Sequence, residues 1–142
     1  MLYVEDMEII KRNKTTFAFI LRKDEQESDN PFFITEPDSP LQIGVLSHPA
    51  GYAEEPHYHR IRKRIIKGTP QMLFLKKGRF SIDFFDHNNT RFKSVEISEG
   101  DLIVLLDGAH RLIVDENMNA IIAKLGPYLG VLEDKVKIVE RQ

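Results

Sequence analysis

QMLFLKKGRFSIDFFDHNNTRFKSVEISEGDLIVLLDGAHRLIVDENMNAIIAKL, residues 71–125, is a succession of short apolar runs separated by turn residues. The runs are 71–75, 80–85, 92–97, 101–106, 110–114 and 120–125, all rich in Ile, Val, Leu and Phe. None holds a 3.6-residue period long enough for a central helix. Lys76-Lys77-Gly78 reads as a tight turn between the first two runs. Asp86-His87-Asn88-Asn89 reads as a hairpin turn, because Asn and Asp tolerate positive φ. Glu99-Gly100, Asp107-Gly108 and 115–119 divide the others. Many short strands with frequent turn signals predict an all-β sandwich or barrel.

Upstream, 41–46 (LQIGVL) is one more such run, preceded by the turn chemistry of Pro37-Asp38-Ser39-Pro40. The polar stretch 22–30 (RKDEQESDN) reads as an exposed loop. It sets apart an N-terminal apolar piece, 16–21, which suits strand exchange or edge pairing with a second copy. Downstream, 132–139 fits either a short helix or a last strand.

A length of 142 residues suits one domain with one proper core. The composition is 42% hydrophobic and 30% charged, which is that of a folded soluble chain. A formal net charge of −2 gives no reason to expect nucleic acid or an anionic membrane as partner. The absence of cysteine excludes disulfides, thiolate metal sites and cysteine nucleophiles. No stretch approaches the roughly 18–20 apolar residues of a membrane span. Residues 1–14 mix Glu5, Asp6, Glu8, Lys11 and Arg12 among apolar residues, unlike a signal peptide, so a cytoplasmic location is expected.

Three of the five histidines sit where chemistry is plausible. His57-Tyr58-His59 is an H-x-H pair, and residues two apart on a strand point to one face. His110 shares a face with Leu112 and Val114, as either a hydrogen-bonded core histidine or a ligand. His87 falls in a turn, and His48 precedes Pro49 without an evident role. The basic run 60–67 (RIRKRIIK) invites a phosphate reading. On an unbroken strand Arg60, Arg62 and Arg64 would oppose the histidines and only Lys63 would share their face, although one bulge reverses that parity.

The order of these features resembles the two-motif signature of the cupin superfamily. Gly51, five residues and His57-x-His59 are followed by Gln71, six residues and Gly78; later come Gly100, five residues and Leu106-Asp107-Gly108-Ala109-His110. The match covers about residues 41–128, and the segment 126–130 (GPYLG) also resembles small single-domain bacterial and archaeal cupins. The resemblance implies a cupin-type double-stranded β-helix, a jelly-roll barrel, as a single domain over 1–142. It implies His57, His59 and His110 as metal ligands, with Gln71 at the position of a glutamate ligand.

The departures bear on that site. Eleven residues, 60–70, separate His59 from Gln71 where the family has three or four, and Leu106 replaces a proline. His110 stands one residue closer to Gly108 than is usual in the family. Glutamine can coordinate through its carbonyl oxygen but brings no charge, which lowers metal affinity and leaves the ion a stronger Lewis acid. Glu54 or Glu55 could supply the missing carboxylate, and Glu55 is the candidate general base. Lys63 and Tyr128 are candidate substrate contacts, Tyr128 being alternatively an aromatic plug for the core.

The reading that follows is a small metal-binding cupin, a homodimer, holding Zn, Ni, Fe or Mn and acting on a small polar, sugar-like molecule in its cavity. Two alternatives stand beside it. One is a metal-free isomerase or epimerase of sugars or sugar nucleotides, and the other is a non-enzymatic small-ligand binding module.

Overall fold

Gln71–Phe85, the first long strand of the apolar series, organises the molecule. In the computed structural model, which describes residues 7–142, it is the fifth of eight strands. The strands are β1 (Glu8–Arg12), β2 (Thr15–Leu21), β3 (Phe32–Phe33), β4 (Gly44–Val45), β5 (Gln71–Phe85), β6 (Arg91–Ser98), β7 (Leu102–Leu105) and β8 (Ala109–Lys124). A short helix, α1 (Val131–Asp134), follows. Residues 1–6, which carry Glu5 and Asp6 of the N-terminal reading, lie outside the described residues. The all-β expectation holds, and no described helix is long and apolar enough to cross a membrane.

The six-stranded sheet runs β1-β2-β7-β5-β6, with β8 on the other side of β5. All its pairings are antiparallel. β5 meets β7 with its first residues (Gln71↔Leu105) and β6 with its last (Arg79↔Ser98 to Phe85↔Arg91). A straight strand of 15 residues would span roughly 50 Å. Yet β7 beside Gln71 is joined to Ala109 beside Phe85 by only Leu106, Asp107 and Gly108. That link and the two pairings hold the ends of β5 within about 25 Å of each other. The strand is therefore folded over, and the sheet makes two layers.

The fold falls where the register with β8 slips, between Leu75 and Phe80. Gly78 sits there at φ 91. A Cβ on Gly78 would run into the Asn117 backbone carbonyl of β8, so only glycine fits the bend. The slips also change parity. Leu73 and Leu75 are buried before the bend, and Phe80, Ile82 and Phe84 after it. The tight turn expected at 76–78 is thus a bulged bend in a continuous strand. Likewise 110–114 and 120–125, expected as two strands divided at 115–119, are one strand, β8, because its partner bends with it.

Between the layers the core gathers Ile20, Leu75, Phe80, Ile82, Phe84, Ile97 and Ile103, all fully buried. Phe17 of β2 packs edge-on against Phe84 and Phe92, with ring centroids 6.2 and 5.0 Å apart. β2 lies between β1 and β7 of its own chain, so within one chain 16–21 has no free edge. Of 41–46, only Gly44 and Val45 join a ladder, with Phe33 and Phe32. The C-terminal alternative resolves as the four-residue α1 followed by extended chain.

Two buried carboxylates anchor polar networks in the fold. Asp101, at the entry to β7, accepts from the Ser98 N–H (3.0 Å), the Lys23 N–H (3.0 Å) and Arg22 Nη1 (2.8 Å). Asp83 faces outward from β5 and accepts from Arg111 Nη2 at 2.7 Å, with Arg91 at 3.6 Å. Burial alone would raise the Asp83 pKa. Hydrogen bonds from Arg111 and Ser94, with the positive charges of Arg111 and Arg91, outweigh it and hold the carboxyl below its ordinary value of 3.8. The folded state then binds this proton less readily than the unfolded chain. Its stabilisation is complete above about pH 4 and is lost as pH falls through the depressed folded value. Denaturation free energies measured from pH 5 to pH 2 should fall less steeply for Asp83→Asn than for the parent. Parallel curves would remove Asp83 from the acid response.

Candidate functional site

His110 stands directly opposite Phe84, and in an antiparallel pair opposed side chains share a face. Leu112 opposes Ile82 and Val114 opposes Phe80. His110 is therefore on the core-facing side of β8, as its alternation with Leu112 and Val114 predicts. Two residues before it the chain turns at Gly108, at φ 78, where a Cβ would run into the Phe17 ring. The ring is open to solvent on one side, yet the surrounding protein thins its hydration. Desolvation pushes its pKa below 6.5; the Gly108 backbone hydrogen bond opposes this and the Lys135 charge adds to it.

Gln71 opens β5 and shares the face of Leu73 and Leu75. It lies between Leu105 of β7 and Lys124 of β8. The bend brings this end of β5 to the end where β8 begins, so Gln71 and His110 occupy the same end of the two layers. Tyr128 is here too, with Lys124 Nζ 4.5 Å from its ring centroid. Tyr128 is exposed and is not a plug for the core.

His57 and His59 come side by side, with ring centroids 5.4 Å apart. His57 Nδ1 lies 2.9 Å from the Glu55 backbone carbonyl, which can only accept, so Nδ1 carries the proton. The Glu54 carboxylate approaches Nε2 of the same ring at 3.4 Å. Of the two glutamates, Glu54 and not Glu55 brings its side chain to a histidine.

This pair belongs to an arm, 46–70, that joins no strand ladder among the described residues and is exposed almost throughout. Tyr58, Ile61 and Ile65 are bare to solvent, as is Lys63. Hence His57 and His59 are together, His110 and Gln71 share one end of the layers, and the two sets are apart. Among the described residues no three His, Cys, Asp or Glu side chains gather as a metal-holding group. His48, given no role from sequence, stacks on Tyr52 with centroids 4.1 Å apart. His87 is on the surface turn, as expected.

Among the described residues only β5 bonds to β8, which leaves the other edge of β8 without a ladder partner there. Leu112, Val114 and Ile122 face the core side of β8, yet each is 38–53% exposed. Ile113 and Ile121 are equally bare on the other side. The core is therefore open along this edge. A separate groove of about 470 Å³ between β1 and β6 is lined by Ile9, Lys93 and Glu96 among others, and none of the expected site residues borders it.

Sequence reading missed Asp83, Arg91, Arg111 and Asp101. Their partners are 28 or more residues apart in several cases, as in Arg111 with Asp83 and Arg22 with Asp101, and no local spacing announces such pairs. Comparisons with known protein families, with curated proteins and with solved structures find no match to this chain.

Proposed function

We propose that this chain is a cupin-type jelly-roll barrel that binds one divalent transition metal and takes a small polar molecule into its cavity. The ligands are His57, His59 and His110, with Gln71 as a weak neutral fourth. The observation that carries the reading is the His57–His59 pair, held side by side with ring centroids 5.4 Å apart. Two imidazoles of this kind are half of a nitrogen-rich metal site. As arranged, the described side chains supply that half alone. His110 joins them when the arm adds to the free edge of β8.

Two features support that addition. The arm alternates His57, His59, Ile61, Lys63 and Ile65 with Tyr58, Arg60, Arg62 and Arg64, the period of a half-buried strand interrupted on its inner face only by Lys63. The β8 edge leaves Leu112, Val114 and Ile122 uncovered where such a strand would bury them. Eleven residues separate His59 from Gln71, ample to cross from β8 to the start of β5 at about 3.4 Å per residue. The bound ion would act as a Lewis acid on a ligand oxygen or a water.

Elemental analysis of untagged protein tests the reading, with close to one equivalent of Zn, Ni, Fe or Mn expected. His59→Ala and His110→Ala should each lose most of it. Gln71→Glu should tighten the metal, because a charged oxygen replaces a neutral one. Less than about a tenth of an equivalent in the parent would leave a metal-free binding module as the better description.

A further inference from the structure

We propose that the basic arm beside His57 and His59 binds the phosphate groups of a compact, phosphate-bearing small molecule. Residues 56–82 hold eight of the chain's 20 Lys and Arg residues and none of its 22 Asp and Glu residues. Five of those cations, Arg60, Arg62, Lys63, Arg64 and Lys67, fall within eight positions. Five of the six other arginines are engaged. Arg12, Arg22, Arg79, Arg91 and Arg111 each have a carboxylate within 4.0 Å. The five arm cations are exposed, and no described carboxylate forms an ion pair with any of them. Charges of one sign so crowded repel one another, and a bound anion relieves that repulsion.

Three of the five are arginines, whose planar guanidinium forks pair with phosphate oxygens two at a time. Residues two apart on an extended segment share a side, which groups Arg60, Arg62 and Arg64. The remaining sequence decides the size of the ligand. Outside 56–82, twelve basic residues face 22 acidic ones, so a long polyanion leaving the arm would meet a repelling surface. A ligand with two neighbouring phosphates stays within the basic run 60–67, which spans only about 25 Å when extended.

The inference rests on the proposed site only for where the rest of the ligand lies; the phosphate contacts stand without a metal. The test is calorimetric titration of the full chain with inorganic pyrophosphate at low salt, with and without EDTA. Sulfate at equal ionic strength, a single-stranded oligonucleotide and anionic vesicles serve as comparisons. One pyrophosphate site is expected, preferred over sulfate and indifferent to EDTA. Arg62→Gln/Arg64→Gln should weaken it about tenfold or more with metal content unchanged. If the protein purifies without metal, the metal reading fails, and pyrophosphate binding by that protein would still leave this one standing. No discrimination from sulfate, no effect of the double variant, or tighter binding to the oligonucleotide or vesicles would overturn it.

Discussion

Gly78→Ala is expected to destabilise the protein by about 2–4 kcal/mol, through strain and collision together. At φ 91 a side chain is strained even in open space. Here the added carbon also meets the Asn117 carbonyl, part of the β8 backbone, which has no rotamer with which to move away. Relief requires β8 to shift against β5 at the bend, and the bend is what stacks the two layers. Gly68, at φ 83 in the arm with nothing within 4 Å of the added carbon, separates the two contributions. Gly68→Ala should cost no more than about 1 kcal/mol. Equal effects of the two variants in urea denaturation would show that the β8 carbonyl is not the obstacle.

Asp101→Ala should cost about 3 kcal/mol or more, a fall in melting temperature of roughly 10 °C for a chain of this size. Two backbone N–H groups, of Ser98 and Lys23, and the Arg22 guanidinium all end on this one carboxylate. Truncation leaves donors with no acceptor in a place that is nearly closed to water, and that loss exceeds the worth of the bonds themselves. Arg22 keeps Glu8 at 3.0 Å and the Glu96 carbonyl at 2.8 Å, so its share of the loss is the smaller. Asp101→Asn keeps one oxygen and should restore part of the stability. Full recovery would assign the effect to hydrogen bonding and none of it to charge.

Both effects reside in features the sequence shows only in part. The runs at 92–97 and 101–106 become β6 and β7 because their apolar alternation and their Gly100 turn are local properties. The continuity of β5 and β8 is not local. Lys76-Lys77-Gly78 has the composition of a turn, and what keeps it in a ladder is a partner strand some forty residues away that bends in step. The same bend reverses parity, so counting from Gln71 puts Phe80 on the wrong face.

The candidate site divides along the same line. His110 was legible as inward because Leu112 and Val114 alternate with it. The H-x-H spacing was legible as a pair. Whether the pair meets His110 depends on how the arm and the bare edge of β8 are joined, which no spacing encodes. The sequence points to Glu55 as the base, and only the geometry shows that it is the Glu54 carboxylate, at 3.4 Å, and the Glu55 carbonyl, at 2.9 Å, that reach His57.

The place of β2 in the sheet also sets a schedule for synthesis. Phe19 bonds opposite Val104, 85 positions later in the chain. At ribosomal rates of about 5–20 residues per second, roughly 4–17 s pass between the appearance of the two. Throughout that interval one of the most apolar strands of the protein has β1 for company and nothing on its other side. The charged stretch that follows it, 22–30, is then the nearest solubilising segment, and it emerges from the ribosome immediately after the strand.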